Sequence, residues 1–324
     1  MQLLPEDMSV KEDYVGYATK RLSKETISDL ATLHTAVYGR IPPPGFFVKK
    51  YDTAYTGLAY TGFIAYTNEM VPIAYYGVIP CFISSGGRTI LAAQSSDTMT
   101  HPGYRNKGLF VKLAELTFEL CRSAGIGILF GFPNQHSLPG FLHKLGWQHS
   151  GAMECFIIPV RTLPLERIAA GFSFLKKCYA WYAAKVLNGY LVRQQGIKGS
   201  VLQEGYDSVL RNADYLKYKT YTDTFVIGIE GTDLWLKING GLLIGDVSDT
   251  AADLTRVMDR LSALARRLGL RQIQCHASSG TGLHTFFAAH YRAVPSFPVI
   301  FKILDDRRLP TDRMKFTFAD IDIF

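Results

Sequence analysis

The chain has 324 residues, of which 48% are hydrophobic and 19% charged, a composition typical of a globular protein with a sizeable core. This composition argues against a disordered chain, and no uncharged apolar stretch reaches the roughly 18 residues that a membrane-spanning helix needs. The formal net charge of +7 favours an anionic partner, but no run of Lys and Arg indicates a nucleic-acid-binding surface.

The first half of the chain predicts elements in the order α-β-β-β-α-β-α-β. Apolar residues at helical spacing predict a helix within 23–39, and Asn68–Glu69 and Gly86–Gly87 are turn pairs that join three β-rich segments into an antiparallel meander. The predicted strands are 60–67, 71–84, 89–100, 126–133 and 152–160, and the later helices are 109–125 and 137–147.

Residues 161–196 interrupt this order with a long, basic, helical pattern that Gly171 and Gly189 are expected to bend or split. Two interpretations stay open: a connector packed between domains, or an amphipathic helix that contacts an anionic membrane through residues 165–195.

The second half repeats the order β-β-β-α-β-α-β, which predicts an internal duplication. Its predicted strands are 223–231, 233–239, 241–249, 271–278 and 297–304, and its helices are 250–270, with Thr250 as N-cap, and 282–291. Residues 314–324 alternate like a final strand.

The stretch "HPGYRNKGLF", residues 101–110, lies between a predicted strand and a predicted helix. The first turn of a helix leaves about four backbone N–H groups free, and the helix dipole adds favourable potential for an anion. Gly108 permits close backbone approach, Arg105 and Lys107 add positive charge, and Pro102 helps to release the preceding strand from its neighbour. These features are those of a pyrophosphate-binding loop, although ordinary strand-to-helix turns share them.

Two separated motifs resemble those of the GNAT (Gcn5-related N-acetyltransferase) superfamily. The family loop [RQ]-x-x-G-x-[GA] is matched by Arg105 and Gly108, with Phe110 in place of the last small residue, and Tyr104 supplies the usual aromatic lead-in. The second motif, "FPNQHSLPGFLHKLGW", follows about thirty residues later at the expected separation. The resemblance implies tandem α/β (α+β) domains, each a mixed, mostly antiparallel sheet flanked by helices.

The domains expected from this resemblance are a catalytic acyl-CoA-binding GNAT domain at 1–160, a helical connector at 161–196 and a degenerate GNAT-like domain at 197–324. The second half lacks the loop motif, and Asp246, Asp249 and Asp253 would repel phosphates there. We therefore expect a single CoA site, in the first domain.

The resemblance also implies roles for individual residues toward acetyl-CoA or another acyl-CoA. The cofactor-binding residues would be Met99, Thr100, Arg105, Asn106, Lys107, Gly108, Leu109, Phe110 and Asn134. The loop amides would hold the pyrophosphate, the strand end at Met99–Thr100 would pair with the pantetheine arm, and Asn134 would help to hold the gap between the splayed strands. Phe110 is expected to face the core.

The catalytic groups are less well marked. The tyrosine that commonly protonates the leaving thiolate in this family is replaced by Leu142. Candidate catalytic residues are Asp97, on the strand before the loop, His136, after Asn134, and Glu154, on a strand that can border the acceptor site. No zinc-ligand spacing is present, and no metal is expected.

We therefore expect an acyl-CoA-dependent N-acyltransferase, foremost an acetyltransferase, that acts on an amine of a small molecule such as an amino sugar. Nucleic acid is not an expected partner, and the oligomeric state stays open. A non-catalytic CoA-binding scaffold, an aminoacyl-tRNA-dependent transferase of the peptidoglycan type and a membrane-surface protein are the alternatives. The five widely spaced cysteines, without a CxxC pair, and the acidic residues 1–14, without a secretion-signal pattern, predict a cytoplasmic location.

Overall fold

The computed structural model describes residues 16–305 and 311–324. The segment 1–14, on which the expected location partly depends, lies outside the described residues. Among the described helices, none combines the length and the apolar character needed to cross a membrane.

Twelve strands and ten α-helices are described. The strands are β1 (Ala18–Arg21), β2 (Gly62–Tyr66), β3 (Pro72–Ser85), β4 (Arg88–Thr100), β5 (Ile128–Gly131), β6 (Gln148–Pro159), β7 (Ser208–Val209), β8 (Thr224–Ile229), β9 (Thr232–Ile238), β10 (Leu242–Val247), β11 (Gln272–Ser278) and β12 (Ala293–Ile303). The helices are α1 (Ile27–Tyr38), α2 (Phe46–Tyr51), α3 (Leu109–Ser123), α4 (Leu138–Leu145), α5 (Leu165–Ala170), α6 (Ser173–Leu187), α7 (Ser200–Gln203), α8 (Ala213–Tyr218), α9 (Leu254–Arg267) and α10 (Gly282–His290).

The chain divides into two compact units whose boundaries differ from the expected ones. Within the described residues, unit 1 comprises 16–83, 88–151, 298–305 and 311, and unit 2 comprises 84–87, 152–297 and 312–324. The residues of the predicted connector lie in unit 2. The late segment 298–305 joins unit 1 because its residues 300–303 pair with β5.

The sheet of unit 1 is mixed. Strands β1 to β4 are successive neighbours, and the β1–β2 and β2–β3 pairs are antiparallel, as the meander predicts. Strand β5 is parallel to β4, and β12 adds to β5 in the antiparallel sense. Helix α3 covers this sheet with the apolar face read from the sequence, and its Leu113, Ala114 and Cys121 are fully buried in the core of unit 1.

The sheet of unit 2 repeats the same order of elements. Strands β8, β9 and β10 form an antiparallel meander, β11 is parallel to β10, and residues 153–159 of β6 pair antiparallel with β11. Helix α9 buries Val257, Leu261 and Leu264 against this sheet. Three antiparallel strands, a helix and a parallel strand therefore follow one another in both units.

Four local expectations are corrected. Strand β1 and helix α2 were not predicted, because both are short and carry no clear period. Helix α9 begins at Leu254 and is capped by Asp253, whose carboxylate accepts from the amide of Arg256, so the N-cap is not Thr250. Residues 314–324 form a 3₁₀ turn at Phe318–Asp320 rather than a strand, because Thr317 and Asp320 close a capping box. The predicted interruption of the basic segment is present between α5 and α6.

Candidate active site

Strand β4 parts from β5 before it ends. The parallel pairing joins Ala92–Ser95 to Ile128–Gly131, whereas β4 continues to Thr100. Within the break, Asp97 has a φ of 50°, a left-handed conformation that non-glycine residues seldom adopt. Such an irregularity redirects a strand, and the described pairing with β5 does not extend to 97–100. This edge can pair with an extended ligand, and it includes the predicted residues Met99 and Thr100.

The carboxylate of Asp97 is held by two residues of α2. The Nζ of Lys50 lies 2.7 Å from Oδ2 of Asp97, and the hydroxyl of Tyr51 donates to the same oxygen over 2.9 Å. Burial, followed by the Asp97 charge, raises the pKa of Tyr51 well above its usual value, so Tyr51 keeps its proton for this bond. These contacts fix Asp97 in its unusual conformation.

The loop that follows β4 presents unbonded amides. Asn106 and Gly108 both have left-handed backbone conformations, with φ of 62° and 76°, and Gly108 is the N-cap of α3. Among the described residues, none accepts a hydrogen bond from the amides of residues 106–110. When successive residues alternate between left-handed and right-handed backbone conformations, their N–H groups turn toward one side and form a concave anion site. The arrangement matches the one predicted for the pyrophosphate of CoA.

Two cations flank these amides. Arg105 is exposed, and Lys107 lies 5.1 Å from the centroid of the Tyr104 ring and donates to the hydroxyl of Tyr17 over 3.1 Å. The aromatic pair thus positions the ammonium group of Lys107 beside the helix terminus. The positive charge and the dipole of α3 favour the same anion.

Phe110 does not crowd the loop. Its ring packs against Phe141, with centroids 5.5 Å apart, and against Tyr76, with centroids 5.8 Å apart. The departure from the small residue of the family motif is therefore accommodated in the core of unit 1, as the helical pattern predicts.

Asn134 and His136 lie in the turn between β5 and α4. The side-chain oxygen of Asn134 accepts from the amides of His136 and Ser137 over 2.9 and 3.0 Å, which shapes the entry into α4. Because β4 and β5 are parallel, this turn and the end of β4 lie at the same edge of the sheet. The turn that carries the exposed His136 thus lies at the sheet edge where β4 ends.

Glu154 lies in unit 2, not in the unit that holds the loop. One of its carboxylate oxygens is 2.7 Å from Nε2 of His284, which also lies in unit 2. Leu142, at the position usual for tyrosine, is half-buried and packs against the core of unit 1.

Unit 1 also has a groove between α1 and α2, which was not predicted from the sequence. Its volume is about 730 Å³, and it is lined by Ile27 and Ala31 of α1 and by 41–48, which include three consecutive prolines. Phe46 of this wall lies 5.6 Å from Nζ of Lys50, which binds Asp97, so the groove adjoins the break in β4. The spacing of Phe46, Phe47, Lys50 and Tyr51 after Gly45 was the only signal for α2.

The corresponding helix start in unit 2 is already capped. Asp253 accepts from the amide of Arg256 over 3.2 Å, and Asp249 accepts from the amide of Ala251 over 2.8 Å. Carboxylates thus occupy the position that an anion would take. Among the described residues, no group of three His, Cys, Asp or Glu side chains is arranged to hold a metal ion.

A mixed sheet with a splayed parallel pair, followed by an anion-binding loop and a helix, defines the fold class of the GNAT acyltransferases. Solved structures show the same fold at low identity. A GCN5-related N-acetyltransferase from Kribbella flavida is 13% identical with a TM-score of 0.57, covering 89% of this chain and 72% of that one. One from Anabaena variabilis ATCC 29413 is 14% identical with a TM-score of 0.53, covering 89% and 73%. A putative acetyltransferase from Pyrococcus horikoshii is 10% identical with a TM-score of 0.53, covering 98% and 97%.

Residues 18–150 match the acetyltransferase (GNAT) domain family. No curated protein matches the sequence. The matched part of the chain is therefore a GNAT-type acyltransferase domain, and members of this family in general transfer an acetyl group from acetyl-CoA to an amine.

Proposed function

We propose that unit 1 transfers an acyl group, foremost acetyl, from acyl-CoA to the amine of a small molecule that carries an apolar part. The observation that carries the proposal is the set of unbonded amides at 106–110, next to the free edge of β4. Unbonded backbone amides at the start of a helix suit a pyrophosphate, and Arg105 and Lys107 add charge of the right sign.

The predicted binding residues divide between two parts of this site. The amides of Asn106 to Phe110 would hold the pyrophosphate, and the backbone of Met99 and Thr100 would pair with the amide groups of the pantetheine arm. Asn134 keeps the turn after β5 in place, which supports the gap between the strands. Acyl-CoA supplies the acyl group as a thioester, which the acceptor amine attacks.

The proton-transfer groups follow from placement. We assign the base to His136, whose exposed ring lies at the sheet edge where β4 and β5 diverge. Asp97 is a positioning residue, since Lys50 and Tyr51 bind its carboxylate.

We assign the proton donor for the leaving thiolate to Tyr38, at the end of α1. Tyr38 is 52% exposed as a residue, but partial desolvation of its phenol, and after it the charge of Asp97, raises the pKa of Tyr38, which places the phenol within the field of the carboxylate at the β4 break.

The groove between α1 and α2 supports the choice of acceptor. Its lining is mostly apolar, and it adjoins the break in β4 through Phe46 and Lys50. Apart from Ser28, Thr32 and Thr35, the lining offers no polar side chains to the hydroxyl groups of an amino sugar, whereas an aliphatic or aromatic amine buries apolar area there.

The placement of Leu142 favours a second candidate, a CoA-binding protein without turnover. Leu142 packs against the core and offers no acidic proton where the family commonly has tyrosine. The two candidates differ in one measurement, which is acetylation of any amine by a protein that binds CoA.

Calorimetric titration with acetyl-CoA tests the proposed binding site. Gly108→Glu introduces a carboxylate and a side chain where the backbone is left-handed, and we expect at least a hundredfold loss of affinity, about 3 kcal/mol. Gly125→Glu is the matched control at the other end of α3, because Gly125 also has a left-handed φ, of 78°, and open space around its Cα. Equal affinity of the two variants would overturn the assignment of the loop.

Turnover is then measured with aliphatic, aromatic and sugar amines. We expect apolar amines to be acetylated, with Tyr38→Phe and His136→Asn each lowering kcat by about a hundredfold while the affinity for acetyl-CoA is kept. Acetyl-CoA binding without acetylation of any amine would instead establish the non-catalytic candidate.

A further inference from the structure

Apolar side chains crowd the surface of the basic segment in unit 2. Among the described residues, fifteen large apolar side chains are exposed, and six of them lie between Leu163 and Trp181. Those six are Leu163, Ile168, Phe172, Phe174, Leu175 and Trp181. Exposed apolar side chains concentrated in one short segment favour an interaction surface over ordinary scatter.

Helix α6 has two apolar faces. One face is anchored in unit 2, where Val186 and Leu187 are buried. The hydroxyl groups of Tyr179 and Tyr182 donate to the carbonyl oxygens of Leu268 and Arg267, at the end of α9, over 3.0 and 2.6 Å. The opposite face carries Phe174, Cys178, Trp181 and Lys185 at helical spacing, which we call the outer stripe. Phe174 is 74% exposed and Trp181 is 68% exposed. The fold therefore holds the helix firmly while leaving the outer stripe to solvent.

The segment also concentrates the charge of the chain. Residues 161–198 contain seven basic side chains and one acidic side chain, a net charge of +6, while the whole chain has a net charge of +7. The acidic residue is Glu166, whose carboxylate accepts a hydrogen bond from the backbone amide of Gly240 over 2.9 Å. The lysines stand next to the aromatic residues, and Nζ of Lys185 lies 5.3 Å from the Trp181 ring.

We propose that α5 and α6 bind the surface of an anionic lipid bilayer. The aromatic and aliphatic side chains enter the boundary between headgroups and acyl chains, and Lys176, Lys177 and Lys185 contact the acidic headgroups. A second copy of the chain is disfavoured as the occupant, because two segments of net charge +6 would face each other. A polynucleotide would satisfy the lysines and stack on the aromatic rings, but it would leave Leu163, Ile168 and Leu175 without apolar cover.

Vesicle co-sedimentation of the full chain tests the proposal. We expect binding to phosphatidylcholine vesicles that contain phosphatidylserine, at least tenfold weaker binding to phosphatidylcholine alone, and loss of binding as salt is raised. Trp181 supplies a second readout, since Trp147 and Trp235, the other two tryptophans, are buried. Its emission is expected to shift to the blue on the acidic vesicles.

Two double variants separate the contribution of the lysines to vesicle binding from that of the apolar side chains. Lys176→Glu/Lys177→Glu is expected to weaken binding to acidic vesicles by tenfold or more, whereas the charge-matched control Lys24→Glu/Lys217→Glu, at exposed positions outside the segment, weakens it far less. Phe172→Ser/Phe174→Ser, both at exposed sites, is expected to lower binding by a similar factor without lowering the unfolding midpoint.

Three outcomes would overturn the proposal: no sedimentation with acidic vesicles, equal loss in the variants and the control, or a soluble polynucleotide that binds more tightly than the vesicles do. Self-association that the Phe172→Ser/Phe174→Ser change abolishes, without vesicle binding, would assign the surface to a second copy instead. None of these outcomes depends on acyl transfer.

Discussion

Asp97 either holds the break in β4 in place or accepts a proton during catalysis, and its ion pair with Lys50 allows the two roles to be tested. Lys50 has only 2% of its side chain exposed, and its Nζ is 2.7 Å from the carboxylate of Asp97. Asp97→Asn keeps the shape of the side chain and removes its charge. Asparagine also tolerates the left-handed backbone at this position, so the substitution tests the charge by itself.

The magnitude follows from burial. Removing one partner of a buried ion pair costs about 3–5 kcal/mol, and since the side chain of Asp97 is 21% exposed, we expect about 2–3 kcal/mol. With a denaturant slope of roughly 2 kcal/mol/M, the urea midpoint of unit 1 falls by about 1 M. Asp97→Ala adds about 1 kcal/mol, because alanine disfavours the left-handed conformation.

Urea unfolding and steady-state acetylation of the same variants form the assay. The control is Lys50→Met/Asp97→Asn, which removes the buried ammonium group and is expected to recover most of the lost stability. A midpoint of Asp97→Asn equal to that of the wild type, together with a kcat lowered by about a hundredfold or more, would refute the positioning role and make Asp97 the base.

Three further predictions concern unit 2. Burial lowers the pKa of His276 to about 4, so as pH falls below about 6.5 the imidazole takes up a proton in the unfolded state before it does in the folded state. The free energy of unfolding should therefore fall by about 2 kcal/mol between pH 8 and pH 5. In pH-dependent urea titrations, His276→Gln should remove this loss. Arg211 binds the buried carboxylates of Asp246 and Asp320, and Arg211→Met should lower unfolding free energy by about 3–5 kcal/mol; a variant as stable as wild type would contradict the burial argument. A methyl group at Gly245 would overlap the ring of Phe324, so Gly245→Ala should cost about 1–3 kcal/mol in the same assay, whereas Gly189→Ala, in open space and without a left-handed backbone, should cost less.

The helices and strands could largely be predicted from the sequence. The apolar period of α3 and α9 and the β-rich segments separated by Asn and Gly turns place most elements within a few residues of their observed bounds. The loop before α3 could also be predicted as a strand-to-helix turn, because Arg105, Gly108 and the start of α3 are adjacent in the chain, whereas its role in CoA binding stays a prediction. Both kinds of signal are local in the sequence. The apolar period indicates which face of a helix is buried, and the loop motif lies within a single turn.

The tertiary structure alone decided the rest. Lys50 and Asp97 are far apart in sequence and meet only after α2 packs against β4. The pairing of β5 with 300–303 completes unit 1 with residues from the other end of the chain, so no contiguous boundary could describe it.

The two faces of α6 show the same limit in the basic segment. Its sequence is apolar and basic all round, and only the anchoring of Tyr179 and Tyr182 to the end of α9 decides that Phe174 and Trp181 point to solvent. Composition determined that this segment is helical, basic and rich in aromatic residues. Which of its faces is free depends on contacts with residues about ninety positions away, and a local pattern carries no information about such distant partners.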